Sequence, residues 1–330
     1  MCGATLASLA GLVMVLPDGN DFAGATVDKH ARLESRHGAK LVLVGGSNLA
    51  FGLDSRMLEE GLDVPVVNMG MNAYLGLRFM LNEVRAALRS GDIVVLALEY
   101  ETYFVPAPYD AIEGAGPDQL MMIKVRPESA RYITSPRQAA GIASAVPLAA
   151  QQKVMRMLDE AVGEARGSEH TESLIDRIET RDGFNRYGDL VSHLGVDWPY
   201  AMEPGADLSR KRLNEAVLSH ITGFIREMDE RQVTVVIAPP PTPAPYYQRH
   251  RTDMEAIFRR LDIRGPDGTA ADAARYAFPM DEFFDNFNHL TREGRARRTR
   301  FLVEDLHRAL GSTGTQTAAG GIPERVSGAD

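Results

Sequence analysis

A parallel α/β fold is predicted by three short aliphatic runs, Leu41–Val44, Val64–Val67 and Ile93–Leu98, each leading into a turn. Unbroken apolar runs of this length are strands buried on both faces. The stretches between them carry helical signals, and strand, turn, helix repeated over about 60 residues is the pattern of a parallel sheet with crossover helices. A fourth run, Val233–Ala238, extends the sheet after a long gap.

Along the chain, residues Cys2 to Pro17 are uncharged and mostly apolar, and the first charge is Asp18. The segment reads as an export signal or membrane anchor, with Ala23-Gly24-Ala25 as a small-residue cleavage site. It lacks preceding basic residues and is shorter than the about 20 residues of a membrane span. The alternatives are an N-terminal helix packed on the domain and a membrane segment whose beginning would lie upstream of residue 1. Residues 1–38 are therefore taken as an anchor or signal-like segment and linker. After Leu41–Val44, Gly45-Gly46-Ser47-Asn48 closes the strand. Asp54 or Ser55 caps a brief helix through Arg56–Glu60, which Gly61 stops. Leu75 to Ser90 places Leu77, Leu81, Val84 and Leu88 on one face at helical spacing, with Arg78, Glu83 and Arg85 elsewhere around it. Gly91-Asp92 then breaks the helix before Ile93.

From about 106 to 228 proline and glycine are scattered among helical stretches, such as Gln151–Ala165 and Leu208–Glu227, and the region reads as a mostly helical insertion or cap. Pro239-Pro240-Pro241 ends the fourth strand, because proline cannot donate to the ladder. Helices follow around Thr252–Leu261 and Thr291–Leu310. The tail, 311–330, is rich in Gly, Thr, Ser and Ala and is predicted to be disordered. Residues 39–310 thus form one α/β domain with an insertion.

The 45 acidic residues outnumber 36 basic ones, giving a net charge of -9. Such a chain presents no general field for phosphate backbones, so nucleic acid is not an expected partner. Cys2, the only cysteine, excludes an intrachain disulfide framework and thiolate metal clusters. No His and acid residues fall at metal-ligand spacing, and no phosphate loop or dinucleotide fingerprint appears, so neither metal nor cofactor is expected.

Ligands of open parallel sheets collect at the carboxyl ends of the strands. Ser47 has that address, in a glycine-flanked turn where backbone N–H groups are open to a substrate. A serine hydroxyl needs a base to take its proton. His289, in the loop before the last helix, is the best placed of eight histidines. Asp285 is four residues before it and Asn286 three before it, and either could orient the ring. The alternative for Ser47 is a helix cap or turn residue, and for His289 a loop histidine bonded to a backbone carbonyl. Asp189 and His193 repeat the four-residue spacing and read as a pair on a helix face. Glu99 and Glu101 would be candidate glycosidic acids, but alternate residues of a strand face opposite ways.

Gly45-Gly46-Ser47-Asn48-Leu49 resembles the first block of the SGNH/GDSL hydrolase superfamily. Val67-Asn68-Met69-Gly70 resembles the second, and the His289-Leu290 loop the last, in the same chain order. Leu98-Glu99-Tyr100-Glu101-Thr102-Tyr103 is similar to a stretch of the exported bacterial branch linked to acyl groups of cell-wall or extracellular polysaccharides. The likeness covers roughly 39–104 and 231–310, a little under half the chain.

It implies a three-layer flavodoxin-like fold and a serine esterase or acyltransferase acting on small acyl esters, such as acetyl, of a carbohydrate or cell-envelope polysaccharide. Its location would be extracytoplasmic, periplasmic or membrane-anchored, with a membrane acyl-donor partner as a candidate. Ser47, His289 and Asp285 would be catalytic, and the Ser47 and Gly70 N–H groups would form the oxyanion hole. Where the family's third block supplies an Asn side chain, this chain has Glu99-Tyr100-Glu101. Asn72 or Tyr100 is the candidate replacement, and Asn48, Glu99, Tyr100 and Asn286 are candidate substrate-binding residues. The family's Asp stands three before the His, where this chain has Asn286, so Asp285 and Asn286 compete. Rival expectations are a non-catalytic SGNH-like protein that binds polysaccharide or an assembly partner, and a cytoplasmic lipase or thioesterase.

Overall fold

The computed structural model describes Gly11 and residues 21–166, 173–202, 204–262 and 272–318. Helix α1 (Ala25–Ser35) precedes strand β1 (Leu41–Gly45), followed by α2 (Ser47–Gly52), α3 (Ser55–Leu62), β2 (Val66–Asn68), α4 (Leu77–Arg85) and β3 (Ile93–Ala97). The next part carries β4 (Phe104–Val105), α5 (Gly116–Val125), α6 (Pro136–Arg166), α7 (Leu174–Ile178) and β5 (Arg212–Leu213). The chain continues through α8 (Glu215–Glu230), β6 (Thr234–Ile237), β7 (Thr242–Pro243), α9 (Ala244–Arg260), β8 (Ala277–Phe278) and α10 (Arg292–Ala318).

The expected parallel sheet is present, with strand order β2-β1-β3-β6 and every pair parallel. Alternation along the strands builds the layers. Val42, Val44, Val67, Val94 and Leu96 join one core with Leu33 of α1, Leu77 and Val84 of α4, and Val217 and Phe224 of α8. Leu41, Leu43, Val95 and Ala97 join the other with Leu49 of α2, Leu58 of α3, and Leu302 and Leu306 of α10. Each fully buried side chain of this kind contributes about 1.5–3 kcal/mol. Since β1 is followed by β2 on one side and β3 lies on the other, the crevice at the carboxyl end of β1 is the sheet's switch point.

Several expectations are corrected. Residues 25–35 are not a linker: α1 is a helix of the domain, with Ala25, Lys29, His30 and Leu33 buried. The apolar stretch 2–17 lies outside the described residues apart from Gly11. Gly61 does not stop α3, which runs one residue further and ends where Asp63 adopts a left-handed conformation at φ 53°. Asp54 is its cap, accepting from the N–H groups of Arg56 and Met57. The 75–90 helix is shorter, and its Glu83 is buried because it meets His30 at 2.9 Å. Asn214, not Leu208, opens α8, which packs on β6 and α4 and so belongs to a sheet layer and not to the insertion. The insertion shares the main core through Ala111, Met122, Tyr132 and Leu208. Residues 311–318 continue α10, and the rest of the expected disordered tail lies outside the described residues. Among the described residues, no helix is long and apolar enough to cross a membrane.

At the amino ends of β1 and β3 a buried ion pair closes the sheet. Lys40 Nζ donates to Asp92 Oδ2 at 2.6 Å, and Asp92 also accepts the N–H groups of Lys40 and Arg89. Asp92→Ala leaves that ammonium buried without its counter-charge, so a loss of about 3–5 kcal/mol is expected in urea denaturation. A loss below about 1 kcal/mol would show that water reaches Lys40.

Candidate functional site

Ser47 is the first residue of α2, immediately after β1. Its approach is glycine for steric reasons. A Cβ on Gly45 would lie 2.2 Å from the Ala97 carbonyl oxygen, and one on Gly46 would lie 2.2 Å from Glu99 Oε1. Gly46 is extended, so it is the close approach and not a left-handed backbone that requires glycine there.

The structure brings Ser47, His289 and Asp285 into one hydrogen-bonded series. Ser47 Oγ lies 2.8 Å from His289 Nε2, and His289 Nδ1 lies 2.7 Å from Asp285 Oδ1. The hairpin that carries the two partners is closed by the Phe283–Leu290 bridge and by Phe284 N–H bonding the His289 carbonyl. That turn absorbs the four-residue spacing. Asn286 Nδ2 is 2.9 Å from the same Nδ1, but Asn286 Oδ1 accepts the N–H of Asn288, which fixes the amide with its N–H groups toward the ring. The Nδ1 proton therefore goes to the Asp285 carboxylate, leaving the Nε2 lone pair for the serine hydroxyl. Burial pushes the Asp285 carboxyl up, but the hydrogen bond and charge of His289 outweigh it and hold the group below its usual range. Phe51 stacks on the His289 ring at 3.7 Å with the planes 2° apart, which sets the ring's orientation.

Of the backbone donors, the Ser47 N–H has no intramolecular acceptor among the described residues. The Gly70 N–H donates to Asn68 Oδ1 at 2.9 Å, so it is engaged in this state, contrary to the expectation of an open donor. Asn72 is not at hand either, since its Nδ2 donates to Asp118 at 2.7 Å. Tyr100 is buried in the main core, where its hydroxyl has no partner among the described residues.

Asn48 and Glu99 are both buried and bonded to each other. Glu99 Oε1 accepts from Asn48 N and Nδ2 at 3.2 and 2.9 Å, and Arg298 donates to Asn48 O and Oδ1 at 2.6 and 2.9 Å. A carboxylate and a guanidinium thus grip the residue after the serine from two sides. Burial draws Arg298 down to about 10, which leaves it charged at neutral pH. Glu99 follows β3 and Glu101 lies in a 3-10 turn, so the strand-face argument does not apply to them. It is the Asn48 contact that commits Glu99.

Asp189 and His193 are not on a helix face. Asp189 is fully buried and accepts from Ser55 N and Oγ, Asn68 Nδ2, Asn185 Nδ2 and Arg295 Nη2. His193 Nε2–H donates to the Leu290 carbonyl at 3.1 Å, and its ring lies between Phe51 and Phe284. Sequence reasoning also missed Lys29 and Glu179. Lys29 Nζ donates to the carbonyls of Asn68, Gly70 and Gly188 at 3.0, 2.7 and 2.6 Å, and burial pulls it down to about 7. Glu179 is pushed up by burial and lies in the field of His289 and Asp285. Neither carried a motif; a cation inside an amphipathic N-terminal helix was the only signal for Lys29. Among the described residues no three His, Cys, Asp or Glu side chains converge on a metal position.

No sequence-family model matches the chain, and no curated protein matches it.

Burial lowers His193 to about 4, so the folded state keeps it neutral where the unfolded chain takes up a proton. Stability is unaffected above about pH 6.5 and falls as pH drops from there to about 4, by up to about 3 kcal/mol. Chemical denaturation of wild type and His193→Gln should show this acid loss in wild type and less of it in the variant. Equal pH slopes would assign it elsewhere.

Proposed function

We propose that the chain is an SGNH-like serine esterase or acyltransferase that acts on small acyl esters of a carbohydrate through an acyl-enzyme. The observation that carries this reading is the Ser47–His289–Asp285 series, with both hydrogen bonds made and the partners drawn from opposite ends of the chain. The strand order β2-β1-β3-β6 supports it, because a flavodoxin-like sheet places its ligand at the β1/β3 crevice where Ser47 sits. The carbohydrate and the extracytoplasmic location, with a membrane acyl donor as partner, rest on the resemblance and on residues 2–17.

In this reading Ser47 Oγ attacks the ester carbonyl while His289 Nε2 takes the hydroxyl proton. Asp285 stabilises the resulting imidazolium. The tetrahedral oxyanion meets the Ser47 N–H, and the Gly70 N–H joins by exchanging Asn68 Oδ1 for the substrate oxygen. Collapse expels the alcohol, which takes the proton from His289. Water or a sugar hydroxyl then attacks the acyl-serine, returning a proton through His289. A missing side-chain donor typically costs about 2.7–4 kcal/mol, so chemistry slower than in a fully equipped site is expected.

The engaged Gly70 and Asn72 donors favour one second reading, an inert SGNH-like fold that binds polysaccharide or an assembly partner. A fluorophosphonate probe separates the two. Wild type should label at Ser47 and hydrolyse p-nitrophenyl acetate or an acetylated sugar, while Ser47→Ala and His289→Ala fall to background. Labelling no greater than that of Ser47→Ala would sink the enzyme reading, whereas labelling without hydrolysis points to an acceptor other than water.

The Asp285 assignment has its own test. Asp285→Asn should lower kcat by about 10⁴-fold, against less than about 10-fold for Asn286→Ala. The reverse order would make Asn286 the partner of His289.

A further inference from the structure

Away from the serine, α3, the 185–194 loop and the first turn of α10 border an open cleft of about 510 Å³. Its lining carries four guanidinium groups, Arg56, Arg186, Arg292 and Arg295, against one carboxylate, Asp54. Asp54 is spent on the helix cap, accepting from the N–H groups of Arg56 and Met57. Arg295 forms the buried floor, held by the Leu53 carbonyl and by Asp189. Among the described residues neither Arg186 nor Arg292 meets a carboxylate: Arg186 donates to the Tyr187 hydroxyl and Arg292 to the Leu194 carbonyl. Arg56 reaches Glu60 only at 3.9 Å, on the outer surface. Glu59, outside the lining, has its charge felt by Arg186 but is bonded to Arg32 and the Val66 N–H.

The crowding extends behind the cleft wall. Arg32 and Arg186 lie against the Tyr187 ring at 4.4 and 4.9 Å. Gathering like charges in this way is unfavourable unless an anion completes the set, and the chain as a whole carries net charge -9. A planar guanidinium matches the paired oxygens of carboxylates and phosphates. The cleft volume also falls within the about 300–1,000 Å³ of small-ligand sites.

We propose that this cleft binds a small ligand bearing an oxyanion, a phosphate ester or a carboxylate, through Arg186 and Arg292 over a floor made by Arg295. This site goes beyond the esterase reading, since an anion would be held here whether or not Ser47 reacts.

Calorimetric titration of the full chain carrying Ser47→Ala tests it without turnover. The probes are glucose 6-phosphate, glucuronate, inorganic phosphate and, as the neutral control, glucose. At least one anionic probe should bind while glucose does not. Arg186→Gln with Arg292→Gln should weaken it by about 10-fold or more, as should about 0.5 M NaCl. Binding of glucose 6-phosphate and phosphate alone names the phosphate source, and binding of glucuronate alone the carboxylate. If no anion binds better than glucose, or if the double variant binds as well as its parent, the site is refuted. Both substitutions are at exposed side chains; should the pair unfold the protein, Arg186→Gln and Arg292→Gln singly must each weaken binding for the site to stand.

Discussion

The candidate site depends on one buried carboxylate. Asp189 takes donors from four separate parts of the chain: α3 through Ser55, the end of β2 through Asn68, its own loop through Asn185, and α10 through Arg295. A charge taken out of water is tolerable only when its lone pairs are met, and here they are met several times over. Through Asn68 the same carboxylate reaches the Gly70 N–H, because the amide that donates to Asp189 presents its oxygen to Gly70. The insertion is therefore a wall of the site and not a detachable cap.

A second constraint acts from below the serine. Asn48 lies between Glu99 and Arg298, all three buried, so the first turn of α2 is fixed by opposite charges that never touch each other. Removing Arg298 would leave Glu99 as an uncompensated anion in the core, and removing Glu99 would do the converse to Arg298. Positional accuracy of the hydroxyl thus comes from the sheet through Gly45, from the Glu99–Asn48–Arg298 bridge, and from Phe51 against the His289 ring. These are separate supports for atoms that must meet within hydrogen-bond reach.

What the sequence disclosed was what local pattern encodes. The strands at 41–45 and 93–97 are unbroken aliphatic runs, and their boundaries follow from the glycines and charged residues around them. The Ser47 and His289 pairing was legible because both flank strand or helix ends, and the Asp285 partner because a short loop limits the choice. Burial of charge was not legible. Glu83, Glu99, Asp189 and Lys29 look in sequence like surface residues, and each is internal only because a partner distant in the chain meets it. Glu83 waits for His30, Glu99 for Asn48, and Lys29 for three carbonyls. The extent of α9 was missed for another reason: Pro243 and Pro245 look like breakers, but at a helix start proline is tolerated, since its absent N–H would be unpaired there anyway.

Lys29 has a further consequence for the sheet itself. Strand β2 is at the margin, so its outer carbonyls have no neighbouring strand to bond. The N–H groups of Met69 and Met71 turn inward to the Leu43 and Gly45 carbonyls of β1, while the Asn68 and Gly70 carbonyls end on the ammonium of Lys29. The Asn68 N–H is taken by the Tyr187 carbonyl. The Val66 carbonyl accepts from Arg32 and the Val66 N–H donates to Glu59, so three side chains and one loop stand where a fifth strand would otherwise add. An unpaired margin of this kind is a template for pairing with another chain, and here Lys29, Arg32 and Glu59 together with the Tyr187 carbonyl occupy the groups such a chain would need.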